Sequence, residues 1–197
     1  MTQMQNTREK LIKKAFQEIY RNGFQGTRID IVLNKTGVAK GALYHHFKDK
    51  NELGYAVVDE LLTNMTIQTW IQPFENAQNP IDELIATIDN IFTKPTKQII
   101  QTGCPLNNLA QEMSTVDEGF RKRIDKIYSL WRSSIADALT KGQSKGFVRE
   151  DIESDKVATF IVASIAGCLG AGKNSRDINV LKDCGHSLIN YLDSLRC

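Results

Sequence analysis

Residues 27–53, TRIDIVLNKTGVAKGALYHHFKDKNEL, constrain this chain more than any other stretch. Gly37 stands between two short runs with helical spacing. A glycine there can take the left-handed geometry of a tight turn, and Val38 follows it into a core. Leu43 and Phe47 are four residues apart, so on a helix they share the inward face. Lys40, Gly41, Tyr44 and His45 then share the outward face. Two short helices about a glycine turn, with apolar residues at Ile31, Val38, Leu43 and Phe47, have helix-turn-helix spacing. The outward face suits DNA. A lysine can reach a phosphate or a guanine edge, a glycine permits close backbone approach, and a tyrosine can hydrogen-bond a phosphate.

Charge points the same way. Residues 1–50 hold ten Lys or Arg against four Asp or Glu, whereas residues 51–197 hold fifteen against nineteen. A basic head on a mildly acidic body implies a surface meant for a polyanion. The 197 residues, 41% hydrophobic and 24% charged, suit a soluble chain of one or two domains with a real core. No uninterrupted apolar run approaches the ~18 residues of a membrane span. The start, MTQMQNTREK, lacks the apolar centre of a signal peptide, so the cytoplasm is the expected location. Cys104, Cys168, Cys184 and Cys197 form no CxxC pair and have no histidine at ligand spacing, so reduced thiols are expected.

The periodicity is helical throughout. Leu11, Ile12, Ala15, Phe16, Ile19 and Tyr20 form one stripe, with Gly23 placed to end that helix. Thr27-Arg28-Ile29-Asp30 reads as a capping box for a second helix. A third runs to about Phe47. Asp49-Lys50-Asn51-Glu52 reads as a capping box for a long fourth helix carrying Leu53, Val57, Leu61 and Met65. Asn79-Pro80-Ile81-Asp82-Glu83 is a strong helix start. A segment punctuated by Pro and Gly from Pro95 to Pro105 reads as a break, followed by a short helix over 106–113. A long helix carries Phe120, Ile124, Ile127, Trp131, Ile135 and Ala138. Residues 155–171 are apolar nearly all round and predict a helix buried on most sides. Leu181, Leu188, Leu192 and Leu195 mark the last. With no convincing strand, the expected class is all-α, with about nine helices.

Residues 7–53 resemble the DNA-binding domain of the tetracycline-repressor (TetR) family. Residues 37–48, GVAKGALYHHFK, follow the family pattern G-V-S-K-G-T-L-Y-x-[YH]-F-x, and Lys50 matches the lysine that comes after it. The rest of the chain resembles the family only in architecture. The resemblance implies a three-helix DNA-binding domain at 1–47 and a helical ligand-sensing and dimerisation domain at 48–197. It implies double-stranded operator DNA and a small-molecule effector as partners. It also implies a homodimer through the last two long helices, repression relieved by the effector, and no cofactor, membrane or enzymatic role. Carried over residue by residue, Thr27, Arg28, Tyr44, Lys48 and Lys50 become phosphate contacts, and Lys40, Gly41, Ala42 and His45 lie nearest the bases. Ala39 departs from the usual Ser, which removes a cap worth about 1 kcal/mol. Ala42 departs from the common Thr and its hydroxyl.

Cys104 lies in residues 101–112, QTGCPLNNLAQE, at the apparent start of a helix, where thiolates are stabilised. The G-C-P-L-x-N-L-A-x-E stretch is similar to one in a TetR subgroup with electrophile- and flavonoid-responsive members. Two readings stay open: a reactive sensor, or a small apolar residue lining a cavity. Trp70, Phe74, Phe92, Tyr128 and Trp131, with Asn107 and Asn108, are the other candidates for ligand contact. Residues 167–174, GCLGAGKN, nearly spell a phosphate-binding loop, but Asn174 sits where the hydroxyl should be. Only 23 residues follow, too few for a nucleotide-binding sheet. Ala163, Gly167 and Ala171 instead repeat every fourth residue and let another helix approach. His45 and His46 are adjacent and diverge on a helix, so they cannot chelate one metal. The rival readings are a small-molecule binding or scaffold protein without DNA binding, and a nucleotide-dependent enzyme.

Overall fold

The computed structural model describes residues 3–75 and 77–197. In chain order the helices are α1 (Gln3–Gly26), α2 (Ile29–Thr36), α3 (Lys40–His46), α4 (Lys50–Ala56), α5 (Thr63–Trp70) and α6 (Gln72–Glu75). They continue as α7 (Pro80–Thr93), α8 (Lys97–Thr102), α9 (Pro105–Met113), α10 (Glu118–Ser144), α11 (Ser154–Ser175) and α12 (Ile178–Asp193). A π-helical segment, Val57–Leu62, joins α4 to α5, so the long fourth helix is continuous but widened. Among the described residues the only β feature is an isolated bridge between Val148 and Arg196. The all-α class is as expected; the short α6 and α8 and the π segment account for the extra pieces.

Local chemistry explains most boundaries. Gly37 (φ 68) closes α2 and donates its N–H to the Leu33 carbonyl. Asp49 caps α4 by accepting from Glu52 N at 2.9 Å. Asn79 caps α7 through Ile81 N, with Pro80 in the first turn. Two expectations fail. The Thr27 capping box does not form, because Gly23 (φ 75, ψ 168) kinks α1 and leaves its carbonyl for the Thr27 hydroxyl, which donates to it at 2.7 Å. Arg28 is then the N-cap of α2, without a side-chain bond. The Pro95–Pro105 break also holds a helix, α8, because Thr96 accepts from Ile99 N and caps it.

The chain forms two compact units: residues up to Met65 with Pro105–Asp125, and Thr66–Cys104 with Lys126–Cys197. In the first, Leu11, Ile12, Ala15, Val32, Leu33, Leu43 and Phe47 are buried. The Phe24 ring meets Phe120 edge-on at 4.5 Å, and Tyr55 meets Phe120 at 4.9 Å. Gly54 packs beneath them: a Cβ there would lie 2.5 Å from the Phe24 ring and 2.6 Å from Phe120. The π segment carries two successive acids that pair in different directions, Asp59 with Arg123 of α10 and Glu60 with Arg8 of α1. Asp117 caps α10 through Phe120 N and accepts from Tyr55 and Asn51 of α4. The Phe120 amide and then the Tyr55 hydroxyl hold its carboxyl below the usual range.

The second unit is built on α7, α11 and α12. Ile81, Leu84, Ile88 and Phe92 of α7 are fully buried, and Gly185 of α12 admits Phe92. Gly172 of α11 likewise admits Leu181. Within one chain, the expected burial of residues 155–171 is met on one face only. One face of α11 (Ile161, Val162, Ile165, Leu169) is buried, whereas Phe160 is 52% exposed and Ala163, Gly167 and Ala171 are exposed. A single chain supplies partners for one face only. By length and composition α11 could cross a membrane, but its buried row belongs to this core. Residues 167–174 lie inside α11, so their amides serve the helix and cradle no phosphate.

Candidate nucleic-acid interface

The first unit presents α3 as a polar ridge on an apolar footing. Leu43 is fully buried and Phe47 nearly so, which fixes the rotation of the helix. Lys40, Gly41, Tyr44 (46% exposed) and His45 are consequently exposed, and Ala42 is half-buried. A Cβ on Gly41 would meet nothing within 4 Å, so packing within the chain does not require glycine there. Its absent side chain leaves room for something outside. Ala39 caps α3 without a side-chain bond, as its departure from Ser implies. Arg28 and Lys48 are exposed, with Arg28 3.7 Å from Asp30.

Two of the expected phosphate contacts are engaged elsewhere. Thr27 is buried with its hydroxyl on the Gly23 carbonyl. Lys50 donates to the Gln25 carbonyl at 3.1 Å and lies over the Phe24 ring at 4.6 Å. Burial lowers its pKa, and Glu112 opposes that shift. The exposed set is therefore Arg28, Lys40, Gly41, Tyr44, His45 and Lys48.

The structure also shows residues that sequence reasoning left aside. A groove of ≈ 300 Å³ between α1 and α2 is lined by Lys10, Lys13, Lys14 and Lys35, with Glu9 and Gln17. Its signal was available as the spacing of α1 lysines one turn apart. Glu112 of α9 accepts from Phe24 N at 2.7 Å and Gln25 N at 2.8 Å. No local pattern could have revealed this pairing across 88 residues.

In the second unit the aromatic candidates separate. Trp70 and Trp131 lie 4.9 Å apart, and Tyr128 stacks near Trp131 at 6.3 Å and 12°. The Tyr128 phenol is pushed far up by burial and then by the nearness of Cys104. Cys104 is 8% exposed and follows Gly103 (φ 67), immediately before α9. The Trp131 Nε1 is buried without a hydrogen-bond partner among the described residues. A buried donor left so costs about 1–3 kcal/mol, which makes it a natural place for an acceptor. Phe92 is in the α7–α12 core, and Phe74 lines a separate recess of ≈ 100 Å³ with Pro80 and Lys145. Asn107 and Asn108 are half-buried on α9, in the first unit. Cys168 and Cys184 share a groove of ≈ 330 Å³ with Phe160 and Tyr191. Burial, then its neighbour Cys184, pushes the Cys168 thiol up to about 12. Cys197 is exposed.

Two family models match this chain. Residues 11–57 match the family model described as bacterial regulatory proteins, tetR family. Residues 80–185 match the tetracyclin repressor-like C-terminal domain. An uncharacterized HTH-type transcriptional regulator in the lacX 3′ region of Lactococcus lactis subsp. lactis is 31% identical, over 91% of this chain and 89% of that one. The HTH-type transcriptional repressor DhaR of Mycobacterium sp. (strain GP1) is 25% identical, over 82% and 80%. The crystal structure of a TetR transcriptional regulator from Chloroflexus aurantiacus superposes with a TM-score of 0.87 at 24% identity, covering 100% of this chain and 98% of that one.

Proposed function

The chain belongs to the TetR family of DNA-binding transcriptional regulators, and from that premise we propose how its parts divide the work. Residues 1–47 read operator DNA. Residues 48–197 sense an effector and join two copies through α11 and α12. The protein acts in the cytoplasm as a repressor, the mode named for DhaR, and performs no catalysis. The observation that carries the DNA assignment is the ridge of Lys40, Gly41, Tyr44 and His45 held outward by buried Leu43 and Phe47. Selection from random duplex DNA should enrich a pseudo-palindrome with half-sites about one helical turn or slightly more apart. Its affinity should fall steeply with salt, because lysine and arginine displace counterions from phosphates. Failure to enrich any sequence would refute the reading.

The effector site proposed here is Cys104 with Trp70, Tyr128 and Trp131. The orphaned indole N–H supports a reversible ligand with an aromatic face and a hydrogen-bond acceptor. The second reading, electrophile capture by Cys104, draws on its place before α9, where helix amides favour a thiolate. Burial favours the first: Cys104 is 8% exposed, whereas Cys197 is open. N-ethylmaleimide labelling with peptide mapping should therefore modify Cys197 well before Cys104. Faster labelling at Cys104, with operator release that Cys104→Ser abolishes, would establish the electrophile sensor instead.

A further inference from the structure

Glu112 closes the G-C-P-L-x-N-L-A-x-E stretch, and its carboxylate has a specific task. It accepts from two successive backbone amides, Phe24 N and Gln25 N, at 2.7 and 2.8 Å. Those amides are turned toward it by the break in α1 at Gly23. Gly23 is required for its positive φ, and its missing Cβ lets the Glu112 carboxylate come close: a Cβ there would lie 2.8 Å from Glu112 Oε2. Lys50 grips the same elbow by donating to the Gln25 carbonyl and covering the Phe24 ring. Phe24 and Gln25 are thus held through their N–H groups by an anion, and Gln25 through its carbonyl by a cation. Thr27 extends the constraint, since its hydroxyl returns to the Gly23 carbonyl, and Arg28 then caps α2.

We propose that Glu112 is a positioning residue for DNA binding: it fixes the elbow from which α2 and α3 are presented, so operator affinity depends on the placement of α9. This rests on the DNA-binding reading above. Glu112 acts through Phe24 and Gln25 and itself touches no phosphate. In sequence α9 begins one residue after Cys104, which places the elbow's anchor on the segment that leaves the effector site.

The test uses full-length Glu112→Gln and a duplex selected by the wild-type protein. Glutamine keeps the shape and one acceptor but turns an NH2 group toward the second amide. The operator Kd of the folded protein should rise about tenfold, the worth of one charge-assisted hydrogen bond. Amide exchange at Phe24 and Gln25 should accelerate, while the slope of log Kd against log salt stays unchanged, because no phosphate contact is lost. Lys50→Gln should show the same pattern; a phosphate-binding lysine would instead reduce the slope by about one. A merely structural Glu112 would lower the melting temperature and leave the Kd of the folded fraction alone. An unchanged or lowered Kd in Glu112→Gln overturns the proposal, and a reduced slope in Lys50→Gln overturns the two-sided grip. If the wild-type protein selects no duplex, the DNA-binding reading fails instead, a result visible before any variant is made.

Discussion

With Lys40 and Tyr44 both replaced by alanine, the protein is expected to fold as before and to lose its operator. Both side chains are exposed on α3, and neither contributes to the footing made by Leu43 and Phe47. Alanine is at least as good a helix former as either, so α3 itself should not suffer. Each side chain contributes about 1–3 kcal/mol if it meets a base edge or a phosphate. Two such losses in each of two copies predict a fall in affinity of at least about a thousandfold. The salt slope should shrink as well, by about one for every lysine–phosphate contact removed. Circular dichroism checks the fold, and fluorescence anisotropy across a salt series checks the rest. Unchanged operator affinity in a folded double variant would sink the assignment of α3.

The exposed ridge of α3 was legible because it is local. Gly37, Leu43 and Phe47 lie within eleven residues, and helical spacing alone turns Lys40, Tyr44 and His45 outward. What was not legible depends on partners far along the chain. Thr27 has the right residues for a capping box, but the kink at Gly23 offers its hydroxyl a nearer acceptor. Gly23 read as a helix end, which it nearly is. It must be glycine for its positive φ, and the carboxylate that then packs against it, Glu112, lies 89 positions away. Lys50 matches a motif position yet spends its ammonium on Gln25 and Phe24. The aromatics show the same limit. Phe92 and Trp131 both sit on apolar helical stripes, and only packing shows that Phe92 fills the space left by Gly185 while Trp131 keeps an unanswered N–H. Composition likewise described α11 as apolar all round and could not say which face a single chain leaves uncovered.

That uncovered face leads to the second large effect. Gly167 of α11 is exposed, and a Cβ there would meet nothing within 4 Å, so Gly167→Trp has room within one chain. Replacing a mid-helix glycine also favours the helix by up to about 1 kcal/mol. The folded monomer should therefore be as stable as before. Between two copies the outcome reverses. Ala163, Gly167 and Ala171 form a row of small residues beside exposed Phe160, a surface on which a helix from a second copy can lie close. An indole at the centre of a two-fold contact meets its own mate and forces the helices apart. Sedimentation should change from dimer to monomer at micromolar concentration. Operator affinity should fall by about 10²–10⁴, because each head then binds its half-site without the effective concentration that its partner supplies. Helicity should remain close to wild type and unfolding should stay cooperative, at a midpoint lowered only by the lost association, which separates this variant from a simple folding defect. A Gly167→Trp protein that still sediments as a dimer would remove α11 from the interface, and a wild-type chain that is a folded monomer at that concentration would remove the interface altogether.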